Sequence, residues 1–472
     1  MSYQTRTLFV ATLAVTIVGG LGPVDPGWAA QAKAQQEVPS ADSVSELQRR
    51  VTETQAKTKS ILLPKPAPPN EPPPEDGGPA AFHFTTDQAI EMLQHRVELN
   101  PKDFTNYRYL GIMYDRKARE TGDSTQFTLA EDALRTALNL LPNDPRTRSA
   151  LAIVLCARHK FAEALEIAEK LSREYPRDLD ALATKGDALL ELGRYEEAEL
   201  AYRKLHHLSK IPEVLARLAN LAELTGKPEE AISLMHRAAA DIPKNAIQPN
   251  ADAWYFGRLA DIHFNIGQIE EAAQFYESVP EGVDAYHDAT AGRGRILAAQ
   301  GQIDEAITFY ERAIEIGPDP HMLAALGDLY KRLGNDQKAS EIYAQFLEET
   351  EDDPESYRER SMFLADHDRD LTEALRLARL DFEQRQDVFA WETLAWSLHK
   401  NGQDEDAAEA IAEALKTGIR DARIHFHAGV IRHALGDPAG AREHLSTALE
   451  INPHFSPSKA EQARELLKSL DE

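Results

Sequence analysis

The side chains best suited to chemistry in this chain are its late histidines and a short acidic run. His399, His425, His427, His433, His444 and His454 all fall in the last quarter of the sequence. Imidazoles gathered on one wall can hold a transition metal. Nothing among them forms an i, i+4 pair on one helix face, so His399 and His433 are only weak metal candidates. His425 and His444 are expected to pack. Asp366, Asp368 and Asp370 alternate as in a calcium loop. However, Leu371 stands where such a loop needs glycine and Leu377 where it needs a bidentate Glu. Gly292-Arg293-Gly294 imitates part of a phosphate loop, but it falls inside a helical pattern. There is no Walker loop, no His-Glu-x-x-His and no Gly-x-Ser-x-Gly. The chain therefore reads as non-enzymatic, with no cofactor.

The elements that must position these residues follow a clock. Alanines recur at Ala130, Ala164, Ala198, Ala231, Ala272, Ala306, Ala339, Ala374, Ala407 and Ala441. The usual step is about 34 residues, the period of a helical solenoid. Other residues keep the same time. Gly186, Gly193, Tyr195, Ala198 and Tyr202 mark one unit, and Gly294, Gly301, Ala306, Tyr310, Ala313 and Pro318 another. Trp391, Leu394, Ala395 and Gly402 mark a third, and Gly429, Gly436, Ala441, Leu445, Ala448 and Pro453 a fourth. This pattern resembles the tetratricopeptide repeat (TPR). The resemblance implies an all-α, right-handed superhelical solenoid of about ten helix-turn-helix units.

The residue types have physical reasons. A small residue at the crossing lets the two helices of a unit approach closely. Glycines such as Gly193, Gly226 and Gly334 suit a left-handed cap where the first helix ends. Prolines such as Pro142, Pro176 and Pro453 stop the second helix, because proline cannot continue the hydrogen-bond ladder. Tyr202, Tyr276, Tyr310 and Tyr343 are expected to pack between helices.

In a solenoid, function is expected on the concave wall. The resemblance implies that this wall is lined by the first helix of each unit. Those positions carry Ala183, Asp187, Glu191, Arg217, Asn220 and Glu223, then Trp254, Arg258, Asp261 and Phe264. Later they carry Phe389, Glu392, Trp396, His399, Arg423, Phe426, His427 and His433. Trp391 already fills the core position of its unit, so Trp396, five residues on, is expected to face the groove. An exposed Trp beside Phe426 and Arg423 has the composition of a binding hot spot. The candidate partner-binding residues are thus Trp396, Phe426, Phe389, Glu392, Arg423 and His427, with Trp254 and Arg258 as a second site. The Lys-and-Asn clamp that TPR chaperone adaptors use for a peptide carboxylate is not visible.

The net charge of −26 excludes general nucleic-acid binding, which needs a basic footprint. Arg6, the apolar run Leu8 to Leu21 and Ala30-Gln31-Ala32 resemble a secretory signal. That apolar run is short for a membrane span, so membrane attachment is expected only if the signal stays uncleaved. Cys156 is the sole cysteine, so no intramolecular disulfide forms. The expected organisation is a signal peptide over 1–32, a short helix and Pro-rich spacer over 33–81, and a capping helix over 82–103. Repeats one to four follow over 104–243 and repeats five to ten over 253–453, with a C-terminal capping helix over 456–472. The functional expectation is a periplasmic or secreted scaffold that binds a protein or peptide, in envelope complex assembly or polysaccharide export. The alternative is metal or small-ligand handling by the histidine-bearing late repeats.

Overall fold

A computed structural model describes residues 85–242, 253–282, 286–317, 319–351 and 353–471. The expected signal, short helix and proline spacer lie outside these residues, as does the stretch 243–252 between repeats four and five. Within them the fold is all-α. It opens with a single helix, α1 (Thr86–Leu99), and ends with another, α22 (Pro457–Asp471). Between them run ten helix pairs. The first five are α2 (Phe104–Thr121) with α3 (Thr125–Leu140), α4 (Pro145–Ala157) with α5 (Phe161–Glu174), α6 (Leu179–Glu191) with α7 (Tyr195–Leu208), α8 (Pro212–Leu224) with α9 (Pro228–Ala240), and α10 (Ala253–Asn265) with α11 (Ile269–Glu277). The second five are α12 (Tyr286–Ala299) with α13 (Ile303–Ile316), α14 (Pro320–Arg332) with α15 (Asp336–Glu349), α16 (Tyr357–Asp366) with α17 (Leu371–Gln384), α18 (Val388–Lys400) with α19 (Asp404–Leu415), and α20 (Ala422–Ala434) with α21 (Pro438–Ile451).

Local chemistry sets where the helices start. Asp103, Asp144, Asp178, Asp319, Asp387 and Asp421 each precede a first helix, and each side chain accepts a backbone N–H of the first turn. A cap of this kind stabilises a helix by about 1 kcal/mol. The marker alanines lie where the helices of a pair cross, and none is more than 1% exposed. A longer side chain there would force the helices apart. The Tyr202 ring lies directly over Gly186, where any Cβ would collide with it. Packing of this kind repeats at Gly327 under Tyr343, and the buried apolar side chains gather into three large clusters along the array.

The solenoid turns tightly enough to touch itself. The loop after α17 meets the turn between α6 and α7: Gln386 N donates to the Glu191 carbonyl at 2.9 Å, and Val388 N donates to the Tyr195 hydroxyl at 2.8 Å. One repeat further on, Gly418 packs against Gly226. After α21, Asn452 Nδ2 donates to the Phe264 carbonyl at 2.6 Å. Arg385 seals the start of this seam. It is 1% exposed, pairs with Asp381 at 2.9 Å and donates to His159 Nδ1 at 2.7 Å. Burial, then Arg385 itself, holds the His159 imidazole well below its ordinary pKa. The neutral ring keeps the lone pair that Arg385 uses.

Gly226 must meet two demands at once. Its φ of +73° is left-handed, and a Cβ would strike the Gly418 backbone carbonyl. Gly334 has nearly the same φ, +75°, with open space around it. We expect Gly334→Ala to lose about 1 kcal/mol of stability, the ordinary left-handed penalty. Gly226→Ala should lose at least about twice that, because the seam must also open. Urea unfolding measures the first effect and small-angle scattering the second. Equal losses, with no expansion of Gly226→Ala, would remove the seam from this account.

Candidate functional site

The first helices of successive pairs line the inner wall, and their polar groups bind one another. Asp187 of α6 takes Arg217 of α8 at 2.8 Å, with the Tyr202 hydroxyl donating to the same carboxylate at 2.8 Å. Glu223 of α8 takes Arg258 of α10 at 3.1 Å, and Asp261 of α10 takes Arg295 of α12 at 3.0 Å. Asp328 of α14 meets His367, the residue just after α16, at 2.8 Å. Glu392 of α18 holds Arg423 of α20 in a two-pronged pair at 2.7 and 2.6 Å. The wall is a ladder of ion pairs, each rung joining two repeats. A planar, two-pronged Arg–carboxylate contact fixes angle as well as distance.

This geometry corrects several expectations. Trp396, expected to be exposed, is 6% exposed. Its ring stacks on His427 at 4.1 Å between centroids, and its indole N–H donates to Asp366 at 2.8 Å. Phe426, 1% exposed, packs on Phe455 of the loop before α22. Glu392 and His427 are fully buried. Phe389 is half-buried with the Arg423 guanidinium above its ring, and the Arg423 side chain is 39% exposed. Of the second candidate site, Arg258 is buried and engaged by Glu223 and Asp261, while Trp254 is half-buried edge-on to Tyr255. The physical reason is the same throughout. The superhelix and its terminal helix fill the wall that the repeat alone leaves open.

The two weak metal candidates have different surroundings. His399 gives its Nδ1 to Asp404 at 2.6 Å and stacks on Trp396, and His433 lies exposed near the end of α20. Among the described residues, no group of three or more His, Cys, Asp and Glu side chains could hold a metal ion. The three alternating aspartates diverge. Asp366 takes Lys459, Asp368 takes Lys400 at 2.5 Å, and Asp370 caps α17. The Gly292-Arg293-Gly294 stretch is helical, with Tyr276 against Gly292 and Tyr310 against Gly294.

What the structure assembles is a cradle for one ammonium group. Lys459, from the first turn of α22, reaches both oxygens of Asp366 at 2.7 and 2.8 Å. It also donates to His427 Nε2 at 3.2 Å and lies 5.7 Å from the centre of the Trp396 ring. His427 Nδ1 stands 3.0 Å from Glu392, close but bent, so it has no aligned acceptor. Burial, then Lys459, holds the His427 pKa well below its usual value, which keeps the ring neutral and able to accept. Burial pushes the Asp366 pKa up, but the Lys459 ammonium outweighs it and holds the carboxylate below its ordinary range. An anionic carboxylate, a neutral acceptor and an aromatic face form a binding surface for a primary ammonium. Sequence reasoning missed Asp366, read as part of a failed calcium triplet, and Lys459, read as part of a cap. Neither residue carries a repeat signature.

Among the described residues, no helix is long and apolar enough to cross a membrane. A family model described as "Anaphase-promoting complex, cyclosome, subunit 3" matches residues 123–205, and two described as "Tetratricopeptide repeat" match 224–296, 297–359 and 392–454. The chain is 23% identical over 253 residues to anaphase-promoting complex subunit CDC16 of Saccharomyces cerevisiae, covering 52% of this chain and 29% of that one. It is 26% identical over 178 residues to anaphase-promoting complex subunit 7 of Arabidopsis thaliana, covering 38% and 31%. It is 22% identical over 172 residues to the TPR repeat-containing protein YpiA of Bacillus subtilis, covering 35% and 38%. The chain thus spans about a third of the length of the curated relatives it matches. Among solved structures it is similar to the APC/C hetero-tetramer Cut9–Hcn1, with a TM-score of 0.35 at 14% identity over 91% of this chain and 95% of that one. It is also similar to the human IFIT1 dimer with PPP-AAAA, with a TM-score of 0.40 at 13% identity over 78% and 94%. Repeat period, helix pairing and matched family models agree: the chain is a tetratricopeptide repeat protein.

Proposed function

We propose that this protein is a non-enzymatic scaffold that holds a lysine-bearing segment of a protein partner against the wall of repeats eight to ten. The observation that carries this reading is the cradle of Asp366, Trp396 and His427 around the Lys459 ammonium. The chain's own α22 is then the resident occupant of a surface a partner can use. Glu392 stands against His427 and holds Arg423, and Phe426 packs beside the Trp396 ring. The net charge of −26 favours encounter with a basic partner. In the same reading the protein works outside the cytoplasm, in envelope complex assembly or polysaccharide export. That part rests on Arg6, the apolar run to Leu21 and the Ala30-Gln31-Ala32 site.

A peptide copying residues 456–471 tests the cradle directly. The full chain carrying Lys459→Ala and Ala460→Glu, which loosens its own α22, is expected to bind the labelled peptide, whereas the unaltered chain should not. Adding Asp366→Asn should weaken binding at least about tenfold, the worth of one charged hydrogen bond. A loosened chain of native helicity that ignores the peptide, or binds it equally well without Asp366, would defeat the proposal.

The same contact has a pH signature. Asp366 is held below the ordinary carboxylate value of 3.8, so its contribution is fully present above that value. It is lost as pH falls through the lower folded-state value. Hydrogen exchange of the α22 amides should therefore lose protection as pH drops from about 5 towards 3. In Asp366→Asn the protection should already be low at pH 7 and change little on acidification. Identical profiles for the two chains would show that Asp366 does not hold α22.

A further inference from the structure

A pair of histidines outside the cradle carries a separate inference. His425 of α20 and His444 of α21 face one another with Nδ1 atoms 3.2 Å apart and ring planes tilted by 42°. They line an open cavity of about 440 Å³ together with Leu415, Arg420, Thr447 and Glu450. Two nitrogen ligands at 2.0–2.1 Å from one tetrahedral ion stand about 3.3 Å apart, so the present separation is close to that bite. Neither ring needs to move far. A single N–H···N hydrogen bond is what the two rings share without a metal, and only one Nδ1 then carries the proton. Moving that proton to the outer nitrogen frees the Nδ1 lone pairs of both rings.

We propose that His425 and His444 form a two-imidazole site for a borderline divalent transition cation such as Zn²⁺, its remaining positions open to the cavity. Imidazole suits such ions, and open positions distinguish a site that exchanges ligands from a closed structural one. The surroundings bear on it in one further way. Arg420, which also lines the cavity, pairs with Glu229 at 3.4 Å, and Glu450 adds a carboxylate to the lining. The cavity adjoins Gly418, which packs against Gly226. A bound ion would therefore sit beside the seam between the two turns and tie α20 to α21.

Zinc titration of the full chain, purified without a histidine tag, tests this by calorimetry. One equivalent should bind, and His444→Gln should weaken binding at least about tenfold, since one of two protein ligands is lost. His425→Gln should do the same. The double change His399→Gln, His433→Gln should leave binding intact. Cu²⁺ in place of Zn²⁺ gives a second readout that does not depend on stability: its electron paramagnetic resonance spectrum should show two equivalent nitrogens and lose one in His444→Gln. No stoichiometric binding, or binding that survives both single changes in chains of native helicity, would overturn the proposal.

Discussion

Everything distinctive about this solenoid depends on its two turns touching. A TPR array needs only neighbour-to-neighbour packing to exist. Here a second constraint is added, because the loops after α17, α19 and α21 rest on the turns of repeats three, four and five. Arg385 shows the cost of that arrangement. Its side chain is buried among Asp381, Glu191 and His159, with Arg358 close by between Asp381 and Asp387. Buried charges of this kind add little net stability over an apolar core, yet removing one partner strands the others at about 3–5 kcal/mol. Their value is positional. They fix how the first turn sits on the second, because Arg385 reaches His159 and Glu191 only in this register.

The closed seam explains why the inner wall is self-satisfied. In an open superhelix, the polar residues of the first helices would face water and await a ligand. Here they are largely out of water, so each needs a partner from within the chain. The ladder from Asp187–Arg217 through Glu392–Arg423 supplies those partners. The helix caps join the same network, since Asp144 and Asp387 hold both a helix N-terminus and an arginine. A single carboxylate thus fixes where a helix begins and how its repeat is turned.

This division also separates what was legible in the sequence from what was not. The repeat could be read because its causes are local: Ala198 is buried by the neighbouring helix of its own pair, and Gly186 by Tyr202 sixteen residues on. Such contacts recur with the period and leave a pattern. The seam leaves none. Glu191 meets Gln386 through backbone atoms, which any residue could supply. Trp396 was placed correctly on the inner wall by its position in the repeat. Its exposure could not be read there, because it depends on Asp366 of a preceding repeat and Lys459 of the terminal helix. His425 and His444 were each assigned to packing one at a time, and only the fold shows that they pack on each other.

The terminal helix is where stability and binding meet. A tethered segment competes for its own site at an effective concentration on the order of millimolar. A partner at micromolar concentration must then bind the site about a thousandfold more tightly than α22 does, a difference of about 4 kcal/mol. That gap closes only if α22 is held lightly. Its fully buried residues are two alanines, Ala460 and Ala463. Its outer ion pairs, Arg332–Glu461 and Arg442–Asp471, are exposed on both sides, and such pairs are worth about 0–1 kcal/mol. The best-sheltered charge contact α22 makes is Lys459 with Asp366. A second ammonium offered to Asp366 would therefore replace the strongest polar hold on α22, leaving a short apolar face to release. The geometry that makes the helix a cap also makes it displaceable, and the controlling group is the same carboxylate.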